Sequence, residues 1–123
     1  MDRYVMVLAG GGIGAVFRYA VGNAISARSG GRFPWGTVVV NVSGSFLIGL
    51  LMVLIMERFQ MHPNWRLFLV VGVLGGYTTF STFEFETYQA IRGGGFWIGA
   101  ANVVGSVLLG YAAVWIGAAI ARW

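Results

Sequence analysis

The chain has 123 residues, a formal net charge of +4, no cysteine and no lysine, with 58% hydrophobic and 10% charged residues. Soluble domains carry about 25% charged residues, so the composition excludes that class. The lack of cysteine excludes a disulfide framework and a thiolate metal site, and arginines scattered singly fit membrane flanks better than a nucleic-acid-binding stripe.

A helix crossing the hydrocarbon core needs roughly 20 mostly apolar residues. Windows at about 4–24, 35–56, 66–88 and 96–121 meet that requirement. They predict an all-α membrane protein, with residues 1–123 as a single four-helix transmembrane domain. The first run starts near Tyr4 without a preceding basic stretch or an evident cleavage site, so it reads as a retained span. Trp35, Trp65, Trp97 and Trp123 stand near span ends, where amphipathic rings favour the interface.

The first span places Gly10, Gly14, Arg18 and Gly22 four residues apart. Such small-residue stripes let helix backbones approach closely in lipid. The run GGGIG does not have dinucleotide-loop spacing, and no βαβ unit surrounds it. Arg18 lies deep enough that its charge must snorkel or face protein and water. Two readings stay open for it: an interface anchor if the helix ends early, or a fixed positive potential at the mouth of an anion path.

The second span reads GTVVVNVSGSFLIG, with Thr37, Asn41 and Ser45 on one face. Asn41 sits mid-span, so its amide needs partners within the protein or in a wet cavity. An interhelical hydrogen bond and a donor to a permeant anion are both open. The NVS triplet is a glycosylation sequon in form only, being at membrane depth.

The third span carries GGYTTFSTFEFET, residues 75–87. About 100° per residue puts Phe80 and Phe83 on one face with Thr87, and Thr79, Thr82 and Glu86 on an adjoining one. A helix polar on more than one side does not face lipid. Gly75 and Gly76 before two threonines predict a break near the middle of this helix. Irregular backbone at this depth is tolerated only inside protein or beside water, and its freed carbonyls can hold a cation. Glu84 reads as interfacial. The fourth span repeats small residues through Gly99, Asn102, Ser106, Gly110, Ala113 and Gly117.

Arg3, Arg58, Arg66 and Arg122 fall on one side of the membrane; Arg28, Arg32 and Arg92 fall on the other, joined by Arg18 if it reaches that interface. The positive-inside rule then gives almost no preference. Either the signal is weak in a small protein, or both orientations insert, and an antiparallel homodimer follows as a closed two-fold assembly. His62 is alone in a loop, and no nucleophile–base set or metal cluster is nominated by spacing, so catalysis is not indicated.

Three motifs together, GGGIGAVFRY, GTVVVNVSGSFLIG and GGYTTFSTFEFET, resemble the fluoride channels of the CrcB/Fluc family, in order and across the first three helices. The resemblance implies a multi-pass protein of the cell (inner) membrane, forming a dual-topology antiparallel dimer with two fluoride pores built from both subunits. By it, Phe80 and Phe83 line the path, Asn41 is the pore asparagine, Thr82 and Ser106 form a hydroxyl track, Glu86 is the acid near the pore end, and Arg18 is the arginine after the glycine motif. Gly75 and Thr78 offer backbone carbonyls to a structural sodium ion (Na+) at the dimer centre; no organic cofactor is implied. Partners are then fluoride, membrane lipid and a second copy of the chain, with no nucleic acid. Two competing readings are a small dual-topology proton-coupled exporter and a non-transporting membrane anchor. The exporter would want a central intramembrane carboxylate, which the first, second and fourth spans lack. The anchor leaves the polar third span unexplained.

Overall fold

A computed structural model describes residues 2–123, and these form helices and short connections with no strand. Helix α1 is Arg3–Ser29, started by the Asp2 carboxylate, which accepts the Tyr4 and Val5 N–H groups, and stopped by Gly30 at φ 62°. Helix α2 is Trp35–Arg58, its last turn, Leu54–Arg58, widened to π geometry. Helix α3 covers residues 63–77, with a long π-type stretch at Arg66–Leu74. His62 caps it, its Nδ1 accepting the Asn64 N–H at 3.0 Å. Helix α4 is Ser81–Arg92 and α5 is Phe96–Arg122. Taking α3 and α4 as one span, four segments of 24 to 30 residues are long and apolar enough to cross a membrane.

The third span is interrupted only briefly and bends slightly. The interruption falls at Thr78–Phe80, with Thr78 extended at φ −82° and ψ 156°. Gly75 and Gly76, expected from sequence to mark the break, are helical instead. Gly76 serves close packing, while Gly75 meets no neighbouring helix that closely. A Cβ on Gly76 would strike the Gly11 carbonyl, and one on Gly14 would strike the Val73 carbonyl and come within 2.8 Å of the Tyr77 nitrogen. Gly10 and Gly72 complete this seam, so α1 and α3 meet backbone to backbone. A second seam joins α2 to α5, where Gly49 abuts the Val114 carbonyl and Gly117 abuts that of Phe46.

One end of the bundle is tied by polar contacts. Arg122 makes a two-pronged ion pair with Glu57 at 3.0 and 3.1 Å. Arg58 Nη1 donates to the Ala121 carbonyl at 2.8 Å, satisfying one of the terminal carbonyls of α5. At the other end Arg32 Nη2 donates to the Gly93 carbonyl at 3.1 Å, linking the α1–α2 and α4–α5 connections. Much apolar surface stays outside, including Leu8, Val16 and Phe17 of α1 and Val104, Leu108 and Trp115 of α5.

Candidate functional site

Asn41 of α2 grips the interruption. Its Nδ2 donates to the Thr79 carbonyl at 2.9 Å, and its Oδ1 accepts the Thr79 N–H at 2.8 Å. The mid-span amide therefore has an interhelical partner, and the partner is backbone. One amide N–H remains free to serve another acceptor.

The same contact redirects helical hydrogen bonding. In a continuous helix the Thr79 N–H would reach the Gly75 carbonyl, and the Thr82 N–H would reach that of Thr78. The first goes to Asn41 and the second to the Thr79 hydroxyl oxygen at 3.2 Å. The carbonyls of Gly75 and Thr78 thus lose their helical donors. Both residues line an open groove of about 330 Å³ beside Asn41, Thr79 and Phe80.

Phe80 and Phe83 lie with ring centroids 5.8 Å apart and planes tilted by 51°. Phe80 is 74% exposed and Phe83 only 6%. Phe80 stands at the start of α4 in helical backbone, its carbonyl accepting the Glu84 N–H, so the two keep the i, i+3 relation expected from sequence and differ in exposure. Phe83 and Thr87 do share a face, since the Thr87 hydroxyl donates to the Phe83 carbonyl at 2.9 Å.

Behind the interruption is a polar cavity of about 190 Å³, lined by Arg18, Asn23, Thr37, Thr79, Thr82 and Glu86 among others. Arg18 is no end-of-helix anchor, because α1 continues to Ser29. Its Nε donates to the Gly76 carbonyl at 3.1 Å, which leaves the two terminal amino groups of the guanidinium. Glu86 Oε1 is buried with no hydrogen-bond partner among the described residues. Thr79 walls both this cavity and the groove, so the peptide held by Asn41 divides the two.

Ser106 stands apart from that cavity. Its hydroxyl donates to Asn102 Oδ1 at 3.2 Å, and Asn102 Nδ2 donates to the Thr87 hydroxyl at 2.9 Å. Asn102 is 0% exposed, and its hydrogen bonds run through Thr87 to the backbone of Phe83. The structure therefore gathers Arg18, Thr82 and Glu86 in one place and Phe83 and Ser106 along another seam. Thr79 was missed as a site residue. The signal for it was Asn41 itself, an amide that needed a partner at the depth of the interruption.

An open groove, a gripped peptide and a charged cavity in a four-span bundle suit passage of a small ion better than bond chemistry. Residues 5–118 match the family described as CrcB-like protein, Camphor Resistance (CrcB). The chain is 66% identical over 120 residues to a protein of Solibacter usitatus named "Fluoride-specific ion channel FluC", covering 98% of each chain. Proteins with the same name from Rhizobium meliloti and Agrobacterium fabrum are 47% and 44% identical over 122 residues, covering 99% of this chain and 98% of each relative. Matched along nearly its whole length, the chain belongs to the CrcB family.

Proposed function

We propose that this protein is a fluoride channel that lets the anion leave passively through a path built from two antiparallel copies. The carrying observation is the 66% identity, along 98% of the chain, to a protein named as a fluoride-specific ion channel. Fluoride holds its water tightly, so it enters only where donors replace that water. Arg18 and the Thr82 hydroxyl line the inner cavity, and Asn41 keeps one N–H on the groove side. Ring edges of Phe80 and Phe83 carry partial positive charge and add weak anion stabilisation. Weakness is required, because a conducted ion must also leave. Glu86 near Arg18 offsets the cation's grip. Ser106 serves the path only by turning its proton away from Asn102.

A second copy suits the outward Phe80 and the open groove, since each path would take Phe80 from one subunit and Phe83 from the other. Near-balanced arginines at the two ends favour insertion in both orientations, and we place the dimer in the cell (inner) membrane. The Gly75 and Thr78 carbonyls, without their helical donors, fit a hard monovalent cation such as sodium. Such an ion would supply a fixed positive charge, while these residues tie the interruption to its two-fold mate.

The test is purified protein in liposomes loaded with fluoride, read with a fluoride electrode. Efflux driven by a membrane potential alone, with no pH gradient, is expected. Efflux only when a proton gradient is imposed would instead favour a proton-coupled exporter.

A further inference from the structure

The polar cavity behind the interruption extends toward the α1–α2 connection as far as Ser26. It shares Ser26 and Glu86 with a second, outer cavity of about 510 Å³, whose rim includes Ser29, Arg32, Gln89 and Gly93. An anion entering from this end meets the outer chamber first, then the carboxylate of Glu86, then Arg18.

That order poses an electrostatic difficulty. Glu86 Oε1 is buried and unpartnered among the described residues. A carboxyl group shared by the two cavities offers an anion no attractive charge, and Arg18 lines only the inner one. A compensating positive charge is needed on the outer side. Three arginines belong to this end, and one lines the chamber. Arg92 donates to the Tyr88 hydroxyl and lies over its ring at 5.8 Å. Arg28 sits in the last turn of α1. Neither lines either cavity. Arg32 does, and its Nη2 is tied to the Gly93 carbonyl at 3.1 Å, so the guanidinium is held on the rim. That bond leaves its charge uncompensated, and no carboxylate among the described residues pairs with it.

We infer that Arg32 is the outer anion-concentrating residue of the path, raising fluoride at the mouth ahead of Glu86. The inference rests on the fluoride-path reading. It goes beyond the motif residues, because Arg32 lies in the connection between α1 and α2. Charges at the mouth of a low-dielectric cleft focus the field and raise counter-ion concentration, and the effect falls with ionic strength.

The test compares initial fluoride efflux from liposomes for wild type, Arg32→Gln and Arg32→Lys at low fluoride, in low and high concentrations of an impermeant salt. The expected result is a roughly threefold lower flux for Arg32→Gln at low ionic strength, recovering at high fluoride. The difference should shrink in high salt, and Arg32→Lys should keep most of the flux. Unchanged flux in Arg32→Gln at low ionic strength overturns the inference while leaving the channel reading intact. So does an Arg32→Lys flux as low as that of Arg32→Gln, which would make Arg32 a clamp between loops rather than a charge. No flux from wild type removes the channel reading and this inference with it.

Discussion

Asn41 gives both ends of its amide to the backbone N–H and C=O of one residue, Thr79, at the point where the third span stops being helical. Its loss leaves a backbone donor and acceptor unpaired away from water. Asn41→Leu should therefore destabilise the protein by about 1–3 kcal/mol, read as a lower unfolding midpoint in detergent. An unchanged midpoint would mean that the interruption holds itself. The two phenylalanines separate packing from permeation. Phe83 is buried and Phe80 is not, so Phe83→Ile should cost stability, about 1 kcal/mol, whereas Phe80→Ile should leave the isolated subunit's packing untouched. Both should slow fluoride efflux by about tenfold or more if ring edges face the ion. Normal flux in both variants would remove the rings from the path.

At the scale of helices, α1 and α3 are held by the absence of side chains. Gly14→Leu has no space against the Val73 carbonyl and the Tyr77 nitrogen, whereas a Cβ at Gly22 meets nothing within 4 Å. Gly14→Leu should abolish recovery of folded protein and Gly22→Ala should not; similar yields for both would show that the seam is slack. The four spans were legible in the sequence because each is a long apolar run, and so was the existence of an interruption, because GGYTTFSTFEFET is too polar for lipid. Its position was not. Glycine weakens a helix by about 1 kcal/mol, but Gly76 sits on the Gly11 backbone, where close packing offsets that penalty. Part of the cause lies on another helix, where the Asn41 amide takes the Thr79 N–H, and part is local, where the Thr79 hydroxyl caps the Thr82 N–H. Arg18 needed the true end of α1, which lies beyond the apolar window because the last turns of that helix are polar.

For the whole molecule, the exposed apolar faces of α1 and α5 and the open groove beside Phe80 leave a lone subunit with much surface for lipid and for a second copy. Two antiparallel copies require both orientations in one membrane. The chain has no cysteine, so one introduced after Trp123 can be probed with an impermeant thiol reagent. About half should react from each side of the membrane. Reaction from one side alone would contradict an antiparallel assembly. The central claim, a path that accepts fluoride through hydrogen-bond donors and ring edges, is tested most directly by ion selectivity. Liposomes holding the purified protein and loaded with equal fluoride and chloride should release fluoride under a membrane potential and retain chloride; release of both at similar rates would contradict it.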